Sequence, residues 1–285
     1  MRSPSRHFVS RLSKNRLGIV GLVCLLLIVT LAVTAPLLSR YSPLTNSYGE
    51  IFQPPSQTHW LGTDGLGRDI ATRVAYGGRT TLGLALLIAV LQTVVGGTLG
   101  LVAGGFGRTV DLVLQRVVEI QLAIPDLIGM MLVILITGER SALGLILALT
   151  IFGWAPASRL VRGEVLALRE EEFVLAARAI GVPTWRMFME CYMINVVPIL
   201  IVYVTINTAF NILLIATLSF LGYGLPSSHV GWGVMLQDAT SMNILTRKPW
   251  VWIPPGMAIA MSVISVNFVG EALRDALDPK FYHRG

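Results

Sequence analysis

The chain has 285 residues, 54% hydrophobic and 13% charged, against ~45–50% apolar and ~25% charged in ordinary soluble domains. That balance excludes an ordinary soluble globular protein, and the apolar residues are gathered into long runs. The net charge of +6 is accounted for below by membrane topology, so it gives no reason to invoke a nucleic-acid partner.

The predicted elements begin with a basic arm, residues 1–16, carrying Arg2, Arg6, Arg11, Lys14 and Arg16. The first apolar run, 17–38, is longer than the ~7–15-residue core of a cleaved signal. Its one cleavage-like site, Val33-Thr34-Ala35, is followed by Pro36, so the run is expected to be a retained transmembrane helix. A long loop, 39–80, follows with Pro43, Pro54, Pro55 and the stretch HWLGTDGLGRD. Further runs at 81–103, 112–137, 142–160, 194–221 and 250–269 are each near or above the ~20 residues that cross a hydrocarbon core. The predicted fold is therefore all-α, a polytopic membrane protein of about six helices, with a core spanning 81–270. The third run is interrupted by Arg116, Glu119 and Pro125. Loops fall at 104–111, around 138–141 and at 222–249, and a tail at 271–285 ends the chain. Trp232, Trp250 and Trp252 suit a membrane interface.

Lys and Arg divide unevenly between the two sides. With the N-terminus inside, fourteen fall inside and seven outside, and Arg116 lies within a span. An N-in, C-in topology follows. Cys24 and Cys191 fall in different segments on a reducing side, so no disulfide is expected.

Between the fourth and fifth runs sits a polar island, 170–192, longer than a turn requires. Phe173, Ala176, Ala177 and Ile180 are spaced i, i+3, i+4, i+7, one helical face. Glu170, Glu171 and Glu172 crowd its start and Arg178 stands near its end, both favourable to the helix dipole. Gly181 sits where a left-handed cap is wanted, and Pro183 where a second helix opens. Trp185, Phe188, Met189 and Tyr192 repeat the same spacing. The island is thus predicted to be helix, glycine turn, helix. Spacing alone fits two uses: stripes lying on the ends of the spans or the lipid interface, or stripes offered to a partner.

Other polar residues were weighed for chemistry. Asp64 and Asp69 supply too few ligands for a calcium loop and fit a capped, salt-bridged turn better. Arg116 and Glu119, three apart on one helix, fit an intramembrane ion pair or a gate. Asn207, Asn211 and Asn267 fit bonding between helices, or a lined pathway. His7, His59, His229 and His283 are scattered, so no metal site follows. No G-x-x-x-x-G-K-[ST] occurs, so no Walker A site is expected, and no nucleophile with a base stands out.

Ala176-Ala177, three residues, then Gly181, with Asn195 and Pro198 beyond, resembles the EAA loop of permease subunits of binding-protein-dependent ABC importers. The match is partial. Leu175 stands where a Glu usually precedes the alanines, and Met193-Ile194 stand where the motif has Leu-Pro. Further segments are similar to the C-type permease subunit of dipeptide, oligopeptide and nickel importers. They are His59-Trp60-Leu61-Gly62-Thr63-Asp64, then Gly67-Arg68-Asp69 with Arg73, Gly77 and Arg79; Ser219-Phe220-Leu221-Gly222; Gly231-Trp232-Gly233 with Met235-Leu236; and Asn267, Gly270, Leu273-Arg274-Asp275 and Leu277-Asp278-Pro279. Together they cover nearly the whole chain.

The resemblance implies a pore-forming subunit in the plasma (inner) membrane of a prokaryote, moving short peptides, or else nickel chelates or another small solute. It implies a homologous permease as heterodimer partner, two ATPase subunits that hold ATP and Mg, and an extracytoplasmic substrate-binding protein. The island becomes a cytoplasmic coupling loop, with Glu171, Glu172, Ala176, Ala177, Gly181, Trp185, Phe188 and Met189 expected at the ATPase. Asp64, Arg68, Asp69 and Trp232 become candidate contacts for the binding protein. No cofactor is expected in this chain. Two other classes predict differently: a membrane-embedded enzyme using His59, Asp64 and Asp69 would turn over alone, and a secondary transporter would work without ATPases.

Overall fold

Capping and chain-breaking residues set the helix ends. The computed structural model describes residues 15–138, 141–226 and 228–277. The predicted arm up to Lys14, Arg140, and the tail from Asp278 lie outside the described residues. Helix α1 (Arg16–Leu38) starts where Asn15 Oδ1 accepts the Gly18 N–H at 3.0 Å. Helix α2 (Ile70–Gly105) starts where Asp69 Oδ2 accepts the Thr72 N–H at 2.8 Å. Helices α3 (Arg108–Ala123) and α4 (Asp126–Thr137) are separated by extended Ile124 before Pro125 and meet at 90°. Helix α5 (Ala142–Gly153), capped by Ser141, runs through a bend at Trp154 into α6 (Ala155–Leu168). The island follows, with α7 (Glu172–Ala179) and the start of α8 (Thr184–Phe220). Short helices α9 (Trp232–Gln237) and α10 (Met242–Arg247) lead to α11 (Pro249–Leu277). Among the described residues the strand content is one isolated bridge, Thr63 with Asp69.

Five helices, α5 and α6 together counting as one, are long and apolar enough to cross a membrane, or six if α3 and α4 form one broken span. A contact between the first and last described helices bears on the number. Asn15 Nδ2 donates to Asp275 Oδ2 at 3.2 Å, so α1 begins where α11 ends. That placement fits an even number of crossings, with α3–α4 as one crossing in two pieces. The island, the 105–108 turn and this contact lie at one end of the bundle. The 39–69 loop lies at the other.

Several predicted bounds move. The second span begins at Ile70, not 81, so the first loop closes at 69. The fourth continues to Leu168. The third is no continuous helix, because Pro125 has no N–H to donate and pushes Ile124 out of the helical region. The second limb of the island is no separate helix either. It is the first two turns of α8 and continues into the fifth span, with a π segment over Met187–Met193.

Close packing centres on α2. At Gly96, Gly100 and Gly104 an added Cβ would run into Trp154 O, Ser158 O and Val165 Cβ. This small-residue stripe lets α2 and α6 run side by side in parallel, where association in lipid depends on close contact. Ile88, Leu145, Leu149, Ile212 and Leu218 fill the space among α2, α5 and α8.

Candidate functional site

The island is held to the bundle by one face only. Val174, Met187, Tyr192 and Val196 are buried with Leu101, Val161, Val165 and Leu168. Phe188 stacks near Phe106, ring centroids 4.9 Å apart, and meets Tyr192 edge-on at 5.6 Å. Arg169 Nη1 donates to the Gly104 carbonyl at 3.0 Å. Arg162 clasps Asp111 with two hydrogen bonds that tie α6 to the start of α3.

The turn of the island is a Schellman cap. Gly181 has φ +75°, its N–H donates to Arg178 O, and the Val182 N–H donates to Ala177 O, both at 3.1 Å. Pro183 stands at the N-cap of α8 with an extended backbone, one position earlier than expected.

The opposite face of the island is apolar and uncovered. Ile180 is 82% exposed and Trp185 63%; Phe173, Leu175 and Met189 are also exposed. Exposed Glu170, Glu171, Glu172, Arg178, Arg186 and Glu190 border them. Of the eight docking residues expected from the sequence, Glu171, Glu172, Ala176, Gly181, Trp185 and Met189 lie on the surface. Ala177 is half-buried and Phe188 turns toward the core. The π segment is the cause: its wider turn carries Phe188 and Tyr192 off the line of Trp185 and Met189. Leu175, the residue off pattern, is also exposed, on the other flank of buried Val174 from Phe173.

The loop end carries a second constellation, and it is buried. Asp64 accepts from Arg68 Nε at 2.8 Å and from Arg73, and its other oxygen accepts the Leu66 and Arg68 N–H groups. Asp238, just beyond α9, joins the same two arginines, at 2.9 Å to Arg68 and 3.3 Å to Arg73. His59 Nδ1 lies 3.0 Å from Asp69 Oδ1, and its Nε2 lies 3.5 Å from Glu50. Trp232, 1% exposed, donates from Nε1 to Val74 O at 2.8 Å and from its backbone N–H to Thr81 at 3.3 Å. These groups brace α9 against the loop and α2. The side chains of Asp64, Arg68, Asp69 and Trp232, expected from the sequence at the binding protein, are buried and bonded within this chain. Trp232 is likewise no interfacial tryptophan. His59, Asp64 and Asp69, weighed as an enzyme site, are committed to the same brace.

Arg116 and Glu119 pair with each other at 2.7 Å on α3 and point away from the core of this chain, 79% and 50% exposed. The buried polar centre is elsewhere, at a residue the sequence reading passed over. Gln92, 1% exposed, accepts from Asn207 at 2.6 Å and Asn211 at 2.9 Å, and donates to Leu149 O at 2.7 Å. It joins α2, α5 and α8 halfway along the bundle. A single amide side chain at the centre of a glycine-rich apolar run was the available signal. Asn267 stands apart on α11.

The description "binding-protein-dependent transport system inner membrane component" matches residues 96–283. The chain belongs to that family. A second model, the N-terminal TM domain of oligopeptide transport permease C, matches residues 3–55. The family's relatives align over nearly the whole length. The dipeptide transport system permease protein DppC of Alkalihalophilus pseudofirmus is 38% identical over 278 residues, 98% of this chain and 90% of the relative. DppC of Bacillus subtilis is 37% identical over 271 residues, 95% of this chain and 84% of the relative. The oligopeptide transport system permease protein OppC of Bacillus subtilis is 36% identical over 270 residues, 95% and 88%. Family membership and the apolar helices make this chain a multi-pass inner-membrane protein, a permease component of a transport system.

Proposed function

We propose that this chain forms one half of a two-permease pore in an ATP-driven importer of short peptides. A homologous permease supplies the other half. Two ATPase subunits, which hold ATP and Mg²⁺, dock on the islands at the cytoplasmic end, and an extracytoplasmic binding protein delivers substrate at the other. The island carries this reading: its exposed apolar face of Phe173, Leu175, Ile180, Trp185 and Met189 is rimmed by charge and set on a rigid cap. Peptide as cargo is supported by the names of the relatives.

ATP-driven closure of the ATPases would displace the island, and α8 would carry the displacement into the bundle, opening the path alternately to each side. The exposed Arg116–Glu119 pair would then face the second permease or the water-filled path. The binding protein would meet exposed groups of the loop end, such as Tyr48 and Met242, in place of the buried brace.

Cross-linking tests the docking. Cys24 and Cys191 are first replaced, then Ile180→Cys and Ala177→Cys are introduced separately. Ile180→Cys should capture an ATPase subunit strongly and half-buried Ala177→Cys weakly. Capture of lipid probes alone from both positions would refute the socket.

A further inference from the structure

Between α1 and α2, at the loop end of the bundle, lies a cavity of about 360 Å³, within the ~300–1,000 Å³ range of small-molecule sites. It is separate from the island, and it touches the brace only at Asp69 and Trp232. One wall is the face of α2 bearing Ala71, Val74, Ala75 and Gly78, spaced i, i+3, i+4, i+7. Ala32 and Ala35 of α1 form the facing wall, and buried Trp232 closes the floor. The space exists because these residues are small.

The rim has different chemistry. Leu31 and Leu38 are exposed on the outer side of α1, and Trp60 is exposed across the opening. Arg40 stands at the mouth, two residues past the end of α1, exposed and without an acidic partner among the described residues. The one carboxylate lining the cavity, Asp69, already uses one oxygen for His59 and the other for the α2 cap. The mouth is therefore cationic.

We propose that this cavity binds a membrane glycerophospholipid, with an acyl chain between α1 and α2 and the phosphodiester on Arg40. Two features select lipid. Walls built mainly of apolar side chains suit an acyl chain, which has no hydrogen bonds to satisfy, whereas a peptide would bring backbone groups that do. The mouth also lies where an apolar helix passes into a polar loop, the depth at which a cation meets phosphates and an indole ring meets headgroups. Because Trp232 is the floor and also bonds Val74 and Thr81, the lipid would brace the junction of α9 with α2.

The test uses the full chain, purified in detergent and stripped of lipid, with native mass spectrometry and thermal melts as readouts. The probes are phosphatidylglycerol, diacylglycerol with the same chains, and a tripeptide. Phosphatidylglycerol should form a retained adduct and raise the melting temperature. Arg40→Gln should weaken that adduct about fivefold, the share of one cation near a membrane surface, and leave diacylglycerol binding unchanged. Ala75→Phe, which fills the cavity, should abolish both; Ala71→Leu serves as a milder filling variant if Ala75→Phe does not fold. Unchanged phosphatidylglycerol binding in the filled variant or in Arg40→Gln would overturn the proposal, as would displacement of the lipid by the tripeptide.

Discussion

Arg162 holds Asp111 in a two-pronged grip, Nε to Oδ1 at 2.5 Å and Nη2 to Oδ2 at 2.7 Å, across 51 residues of sequence. The pair pins the start of α3 to α6 beside the island, about two turns along α6 from the place where Arg169 holds Gly104. Both side chains are partly open to solvent, which limits the gain from the pair. Arg162→Lys keeps the charge and loses the fork, so a loss of about 1 kcal/mol is expected. Denaturation in micelles measures it, and an unchanged midpoint would show that the fork contributes nothing.

The brace at the loop end should respond more strongly. Asp64→Asn removes the carboxylate shared by buried Arg68 and Arg73 and leaves Asp238 alone against two guanidinium groups. Breaking a buried pair from one side costs about 3–5 kcal/mol. The variant should melt far below the wild type. A drop no larger than that of Arg162→Lys would mean water reaches the site.

Gln92→Leu should cost about 1–2 kcal/mol, because buried Asn207 and Asn211 lose a shared acceptor. Replacing Gln92, Asn207 and Asn211 together with apolar residues should recover much of that loss. A double-mutant cycle between positions 92 and 211 would read the coupling directly, and additive effects would argue against a network.

Gly181 tests backbone alone. A Cβ placed there would meet nothing within 4 Å, so any penalty comes from φ +75° and not from crowding. Gly181→Val should lower the coupling of ATP hydrolysis to uptake in the assembled transporter. Gly181→Asn should retain most of it, since Asn tolerates this region of φ and ψ. Equal transport by the Val and Asn variants would remove the turn from the mechanism.

Hydrophobic run length found the five long spans and the bent α3–α4 pair, because lipid imposes one period and one length on every span. It could not find the break inside the third crossing as a 90° bend, although Pro125 marked the position. The island's cap was legible at Gly181 since few residues adopt positive φ. Its facing was not: a stripe counted at 3.6 residues per turn fails across a π segment, so Phe188 and Tyr192 came out on the wrong line. The capped, salt-bridged turn at Asp64 and Asp69 was legible, but its burial was not, because Arg73 and Asp238 are brought to it by tertiary packing; Asp238 lies 170 residues beyond Arg68. Arg40 carried no signal of its own until the helices on either side were placed.

The π segment at Met187–Met193 sets an angular phase. It adds about one residue to a turn near the start of α8, a helix 37 residues long. Deleting a single residue there would restore ordinary winding and swing everything before it by about 100° about the helix axis. Trp185 and the whole of α7 would then face a different quadrant, with the bundle below unchanged. A one-residue deletion that spares Met189 would thus silence docking by orientation alone, with every docking side chain still present in the sequence.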